Sequence, residues 1–385
     1  MKRVVVAMSG GVDSSVAAAL VHEAGHEAVG VTLKLASGPP TGFGCCGSPR
    51  DIDDARRAAG RIGISHYVLD FEEVFERAVV EPFVSEYLSL RTPNPCVDCN
   101  RKVKFGVLLR LARAWGAAGV ATGHYARVEK AEGPSAPPLS REEDGRAPGT
   151  ERPCARAPFR LLCGVDEEKD QSYFLSGLTQ EELPHLLFPV GAMRKDEVRA
   201  RARTLGLCTA DKPESMDVCF IPGRDHGAFL RARAAQPSGA VKTGAIRDDE
   251  GRLLGEHKGL AGFTIGQRKG LGLAGGPWYV SELDGATNTL VVGPEERTHR
   301  GEFEVSGIRW VRGEPQGPEL QVRIRHRGRL CPARWENLGE GRARVTLAEP
   351  QRAVTPGQAA VFYRGEEMMG GGTIASLPRG EGRAL

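Results

Sequence analysis

The chain has 385 residues, with 52 Lys plus Arg against 49 Asp plus Glu for a net charge of +3, 40% hydrophobic residues and 26% charged ones. That length exceeds one ordinary core and predicts two or three domains of a soluble globular protein, while near-neutrality means that any nucleic-acid contact must come from local patches. No run of eighteen apolar residues occurs, and Met1-Lys2-Arg3 leads straight into an apolar stretch, which argues against a membrane span or signal peptide and predicts a cytoplasmic protein with no membrane partner.

In chain order, a strand over 3–8 opens the chain. Its apolar run Val4-Val5-Val6-Ala7 leads through Met8 into Ser9-Gly10-Gly11-Val12-Asp13-Ser14-Ser15 and a helix over 16–23. Paired glycines let the backbone turn tightly and present its N–H groups, and Ser14 and Ser15 add hydroxyl donors at a helix N-terminus, where an anion is favoured. The run predicts a pyrophosphate-gripping loop for a nucleoside triphosphate. It is not a Walker loop, because no lysine follows the glycines; a glycine turn with serine caps is the plain alternative. A strand over 27–35, a helix over 51–62 capped by Asp51, a strand over 66–71, a long helix over 74–90, a helix over 105–115 and a strand over 119–122 follow. This βαβα order predicts an α/β fold with a doubly wound parallel sheet and the nucleotide at the carboxyl ends of its strands.

The stretch 131–158 holds six prolines, a single leucine and no aromatic residue, so it predicts a disordered surface insertion. Residues 159–164 and the Tyr173-Phe174-Leu175 region are expected to be ordered, and 195–205 to form a helix with a charged, exposed face. From about residue 238 the texture changes to short alternating runs broken by Gly and Pro. That predicts a small central β-rich domain followed, within 291–376, by an antiparallel β-barrel or sandwich. The expected domains are 1–210, 211–290 and 291–385.

Nine cysteines, an odd number, in a reducing compartment predict reactive thiols, metal ligands or core residues rather than a disulfide framework. In Thr92-Pro93-Asn94-Pro95-Cys96-Val97-Asp98-Cys99-Asn100 two prolines stiffen a loop expected to end at the helix over 105–115, with Lys102 and Lys104 nearby. Basic neighbours and a helix N-terminus lower a thiol's pKa and favour the nucleophilic thiolate at Cys99. A structural knuckle is an equal reading of this motif. Zinc would want a second cysteine pair, and a thioredoxin motif a different context. Cys219, in a short apolar stretch flanked by charge, is either a reactive thiol or a buried core residue.

The glycine–serine run resembles that of the ATP pyrophosphatase superfamily, whose members cleave ATP between the α- and β-phosphates and leave an adenylated substrate. Taken with Asn94-Pro95 and Cys99-Asn100, Thr122-Gly123-His124-Tyr125, Lys169-Asp170-Gln171-Ser172-Tyr173, Val218-Cys219-Phe220 and Thr264-Ile265-Gly266-Gln267-Arg268-Lys269-Gly270, it occurs in the order found in tRNA-specific 2-thiouridylases. The chain resembles a bacterial member of that family over nearly all of its length except 131–158.

The resemblance implies ATP bound by Ala7, Met8, Ser9, Gly10, Gly11, Val12, Asp13, Ser14, Ser15 and Gly123, with Leu33 at the adenine side and Mg²⁺ near Asp13. It implies Cys219 as carrier of a persulfide sulfur and Cys99 as its partner nucleophile, the two forming a disulfide in turnover. Asn94, Pro95, Cys96, His124, Lys169, Asp170, Gln171, Arg325, His326 and Gln358 match positions that contact tRNA. The implied reaction is 2-thiolation of uridine at the wobble position of tRNAs for Lys, Glu and Gln, with tRNA and a sulfur-donating cysteine desulfurase or relay protein as partners. Many family members carry Asp where this chain has Cys96. With Cys96 present, Cys96, Cys99 and Cys219 could instead hold a [4Fe–4S] cluster on three thiolates, with one iron left for sulfide; the persulfide route is expected ahead of it.

In Val322-Arg323-Ile324-Arg325-His326-Arg327-Gly328-Arg329-Leu330 the arginines fall on every second position, so a strand would line four guanidiniums along one face suited to phosphates. A solvated strand face is the plain alternative. Cys45, Cys46, Cys154, Cys163, Cys208 and Cys331 have no assigned role. Two rival functions stand beside the resemblance: an ATP-dependent ligase or amidotransferase acting on a small molecule, which needs neither the arginine run nor Cys219, and an inactive RNA-binding or sulfur-relay scaffold, which needs no intact glycine loop.

Overall fold

The computed structural model of the chain describes residues 1–35, 47–131, 159–214, 218–221, 225–234 and 239–377. The insertion expected over 131–158 thus lies, but for Ala131, outside the described residues, as do Cys45, Cys46 and Cys154.

Five parallel strands, β1 (Arg3–Ala7), β2 (Glu27–Lys34), β3 (Ser65–Asp70), β4 (Gly119–Thr122) and β7 (Leu186–Leu187), pair in the order β3-β2-β1-β4-β7. Val4, Val5 and Val6 of β1 are all buried, as a strand covered on both faces requires. Helix α1 (Val12–Glu23) and helix α2 (Pro49–Ile62) flank the sheet. Strand order reverses at β1, between β2 and β4, so the loops leaving β1 and β4 open the crevice where such folds hold their ligands.

The expected start of α2 is corrected by its geometry. Ser48 is the cap, its hydroxyl accepting from the Asp51 N–H at 3.2 Å, with Pro49 in the first helical position; the Asp51 carboxylate is left to face the crevice. Helix α3 runs through Glu72–Phe75, a π-helical stretch Glu76–Val80 and Glu81–Leu88. Helix α4 likewise runs through Pro95–Asp98, a π-helical stretch Cys99–Leu108 and Leu109–Ala114. It therefore begins ten residues before the expected 105, because the Asn94 side chain accepts from the N–H groups of Cys96 and Val97, and Pro95 starts the helix instead of breaking the chain.

A second sheet, β10 (Tyr279–Asp284), β11 (Thr289–Gly293), β8 (Gly244–Asp248) and β9 (Leu253–His257), encloses its own small core of Ile246, Val280, Leu290 and Val292. The last module is a closed six-stranded antiparallel barrel, β12 (His299–Trp310), β15 (Arg342–Arg352), β14 (Cys331–Gly339), β13 (Glu319–Arg323), β16 (Ala359–Arg364) and β17 (Glu367–Ser376), with β12 pairing β17 to close it. The hairpin β5 (Ala126–Lys130) and β6 (Phe159–Cys163) joins this sheet at Glu367–Leu162, reinforced by Arg160 on Glu367 at 3.0 Å.

The parallel sheet and the barrel share a core. Val5, Phe105 and Tyr173 belong to the same apolar cluster as Val361, Tyr363 and Met368 of the barrel. A buried ion pair crosses the same seam: Arg323 donates to Asp170 at 2.7 Å, and Asp170 also accepts from the Gly164 and Ser172 N–H groups and the Ser172 hydroxyl.

Candidate active site

The crevice between the β1 and β4 loops holds a cavity of about 290 Å³. Ala7, Met8, Ser9, Gly11, Val12, Asp13, Ser14, Leu33, Gly123, His124, Lys169 and Gln171, all singled out by the sequence, line it. One end is apolar, with Met8, Val31, Leu33 and Leu35; the other is the N-terminus of α1, whose first N–H groups lack helical partners.

Two glycines set the loop. Gly10 sits at φ +73°, and a Cβ there would lie 2.2 Å from the Asp51 carbonyl oxygen of α2. A Cβ at Gly123 would lie 2.6 Å from both the Asp13 carbonyl carbon and the Ser14 nitrogen, so the β4 loop closes directly on the peptide that starts α1. The serine hydroxyls do a different task from the one expected. Ser14 and Ser15 both donate to the Gly11 carbonyl, at 3.0 and 2.9 Å, and Ser15 is fully buried. They brace the loop, and Ser14 also accepts from the Ser9 N–H at 3.1 Å.

Four lysines, Lys104, Lys169, Lys195 and Lys212, reach the cavity wall. Three of them are organised by carboxylates. Lys195 donates to both oxygens of Asp13 at 2.7 and 2.8 Å and pairs with Glu214 at 3.0 Å; Lys169 pairs with the other Glu214 oxygen at 2.9 Å. Lys212 donates to the Gly10 carbonyl, to Asp51 at 2.7 Å and to Asp54 at 2.5 Å. Burial works against the charge of Glu214, but Lys169 and Lys195 outweigh it and hold its carboxyl down at about 2. Burial likewise opposes the charge of Lys212, and Asp51 and Asp54 reverse that and raise its pKa. Tyr125 donates to Asp13 at 2.7 Å; burial and that carboxylate keep its phenol protonated.

Lys195, Lys212, Glu214 and Tyr125 were missed as a group by sequence reasoning. The expected exposed face at 195–205 is corrected at its first residue: helix α5 (Lys195–Thr204) turns Lys195 inward, where it is 9% exposed. The signal available was the charge pattern Asp211-Lys212-Pro213-Glu214, whose partners lie far away in the chain.

His124 is buried, shares a 2.7 Å hydrogen bond with Thr122 and packs against Phe105 and Phe188. Burial, with the Lys104 charge behind it, pushes its pKa well below the ordinary value, so it stands at the cavity wall as a neutral imidazole. Gln171 accepts from the Tyr125 N–H at 3.1 Å.

The thiols stand to one side. Neither Cys99 nor Cys219 lines the cavity; both are half-buried thiols packed against the shared apolar cluster. Cys99 lies at the start of the π-helical stretch of α4, where i→i+5 bonding carries the helix from Cys99 to Lys104 at the cavity wall in one turn. Phe220, next to Cys219, packs edge-on to Phe75 and Phe83 at centroid distances of 5.6 and 5.1 Å, which anchors the thiol segment to α3. Among the described residues no three His, Cys, Asp or Glu side chains gather closely enough to hold a metal ion.

The remaining expected tRNA positions divide. Asn94, Pro95 and Cys96 form the first turn of α4, with Cys96 exposed. Gln358 donates to the Thr92 carbonyl at 2.9 Å, which docks this turn on the barrel. Asp170, 4% exposed and engaged by Arg323 and Ser172, is an internal joint between sheet and barrel. The arginine stripe is corrected as well. Strand β13 ends at Arg323, which turns inward to Asp170, and a turn with Gly328 donating to the Arg325 carbonyl follows, so no strand aligns the four guanidiniums. Arg325, Arg327 and Arg329 remain exposed, and His326 stacks on Phe174 at 4.2 Å. No helix of the described residues is long and apolar enough to cross a membrane.

Three family models match in succession: the tRNA methyl transferase HUP domain over residues 2–223, the tRNA methyl transferase PRC-barrel domain over 234–294 and the aminomethyltransferase beta-barrel domain over 300–374. Among curated relatives, a tRNA-specific 2-thiouridylase MnmA of Roseiflexus castenholzii is 46% identical, the match covering 97% of this chain and 100% of the relative. Those of Carboxydothermus hydrogenoformans and Rhodospirillum rubrum are 45% and 46% identical, covering 97% of this chain and 97% and 96% of theirs.

Proposed function

Because the chain belongs to the tRNA-specific 2-thiouridylase family, we propose that it thiolates C2 of the wobble uridine in tRNAs for Lys, Glu and Gln, using ATP to activate the base and a Cys219 persulfide to supply sulfur. The observation that carries this reading is the joining of two chemistries through α4: a glycine-loop cavity built for an adenine nucleotide, and a thiol one π-helical turn from the cavity's Lys104. The models whose descriptions speak of methyl transfer are equally those of a nucleotide fold and a barrel, and the thiols suit sulfur transfer.

In this reading adenine lies against Leu33 and Leu35, and the phosphates lie at the N-terminus of α1. The C2 oxygen of uridine attacks the α-phosphorus, the bond to the β-phosphate breaks and pyrophosphate leaves along the glycine loop, whose N–H groups stabilise its charge without reorganisation. The terminal sulfur of the Cys219 persulfide then attacks C2, the C2–O bond breaks and AMP leaves. Attack of the Cys99 thiolate on Cys219 cleaves the S–S bond, leaving 2-thiouridine and a Cys99–Cys219 disulfide. The variant in which Cys99 first releases sulfide gives the same products. A dithiol reductant returns both cysteines to thiols. The uridine must leave the anticodon stack to enter, as for other base-modifying enzymes.

The Asp13 carboxylate at the phosphate end fits a Mg²⁺ that arrives with the nucleotide and neutralises its phosphates. The persulfide route needs only Cys99 and Cys219, and no step is drawn through an iron–sulfur cluster. A cytoplasmic setting and a cysteine desulfurase or relay protein as sulfur donor complete the reading.

Pyrophosphate release from ATP, measured with and without unmodified tRNA-Glu transcript, tests the activation step. Release that requires the transcript supports the reading. Release that is indifferent to tRNA but rises with a small amine or acid contradicts it in favour of a small-molecule ligase.

A further inference from the structure

Two ammonium groups converge on one carboxylate at the phosphate end of the cavity. Lys195 and Lys169 each take one oxygen of Glu214, at 3.0 and 2.9 Å, and all three side chains line the cavity beside the N-terminus of α1. That is the arrangement a phosphate group would meet, with one ammonium for each of two oxygens. The groups differ in how they are held. Lys195 begins helix α5 and is fixed by both oxygens of Asp13, itself on α1 and held by Tyr125. Glu214 lies outside any helix or strand.

Charge decides what must move. Lys169 and Lys195 against Asp13 and Glu214 make a balanced set, so a triphosphate brought beside them adds negative charge that is offset when a carboxylate withdraws, when a cation enters or in part by Lys104 farther along the wall. Asp13 is anchored and suits the cation; Glu214 is the carboxylate with freedom to leave.

Resting on the ATP reading above, we infer that Lys195 and Lys169 are ligands of the β- and γ-phosphates, and that Glu214 is a stand-in for those phosphates, displaced when nucleotide binds. Lys169, which the family resemblance relates to tRNA, thereby faces the nucleotide.

Calorimetric titration of the full chain with Mg·ATP, inorganic pyrophosphate and AMP, paired with thermal unfolding, tests this. Glu214→Gln keeps the shape but removes the competing charge. It should lower the melting temperature of the nucleotide-free protein and yet bind ATP and pyrophosphate roughly two- to fivefold more tightly, the range of a partly exposed ion pair, with AMP unchanged. Lys195→Met and the more exposed Lys169→Met should each weaken ATP and pyrophosphate by about tenfold or more, the range for a hydrogen bond to a charged group, again sparing AMP. A merely structural network predicts that Glu214→Gln loses both stability and affinity, and either unchanged or weaker pyrophosphate binding in that variant overturns the inference while leaving wild-type ATP binding intact. A wild-type chain that binds neither ATP nor pyrophosphate removes this inference together with the reading beneath it.

Discussion

Lys212 donates from Nζ to the Gly10 carbonyl at 2.9 Å, so the segment that leads to Cys219 is tied to the loop that would grip the phosphates. The same ammonium holds Asp51 and Asp54 of α2, and its side chain is only 16% exposed. One lysine thus fastens three parts of the chain that are distant in sequence.

Lys212→Met leaves two half-buried carboxylates without their cation. We expect a loss of about 3 kcal/mol in urea unfolding, the lower end of values for breaking a buried ion pair, and loss of thiolation beyond what the stability change explains. Unchanged stability would show that Asp51 and Asp54 find water instead.

Gly123→Ala puts a Cβ 2.6 Å from the Asp13–Ser14 peptide. Backbone cannot yield as a side chain tip can, so the loop must shift, at a cost of about 1–3 kcal/mol, as for other overpacked sites. ATP affinity measured by titration should fall by at least about tenfold, a change of about 1.4 kcal/mol in binding.

Asp170→Asn weakens the pair with Arg323 across the seam between sheet and barrel. With the carboxylate 3% exposed and the guanidinium 14%, we expect about 3 kcal/mol of destabilisation in chemical unfolding. Coincident loss of tRNA binding without loss of stability would instead make Asp170 a direct RNA contact.

His124 supplies the pH dependence. Its pKa in the folded state lies well below the ordinary 6.5, so between those values the unfolded chain binds a proton that the folded chain does not. The stability tied to its neutral form is therefore fully present above pH 6.5 and is lost as pH falls below it. His124→Gln should flatten the difference in unfolding free energy between pH 7.5 and pH 5.5, conditions chosen to bracket that window about one unit on each side. An identical slope in wild type and variant would contradict a buried neutral imidazole.

What the sequence made legible was local. The glycine loop, the alternation of strands and helices and the alternating C-terminal runs each rest on neighbours in the chain and predict a parallel sheet and a β-barrel or sandwich, whereas the strand order and the closure of the barrel rest on long-range pairing. Lys195 was illegible because a lysine at the start of a charged helix looks solvated until Asp13, 182 residues away, is brought beside it. Prolines at 93 and 95 read as a stiffened loop around Cys99, whereas Pro95 at the first helical position starts a helix. The arginine run looked like a strand because alternation carries no sign of where a strand stops; the turn at Arg325–Gly328 ends it. Asp170 matched a motif, but only its three-dimensional partners reveal that it is buried.

Thiolation of tRNA in the proposed reaction runs through two thiols, Cys99 and Cys219. Its most direct test incubates wild type, Cys99→Ser and Cys219→Ser with Mg·ATP, cysteine, a cysteine desulfurase that hands on its sulfur as a persulfide, and unmodified tRNA-Glu transcript, and looks for retardation on an organomercurial gel. A retarded band is expected with wild type alone, while both variants still release pyrophosphate. Retardation that survives in both serine variants, or its absence in wild type while ATP is consumed, would contradict it.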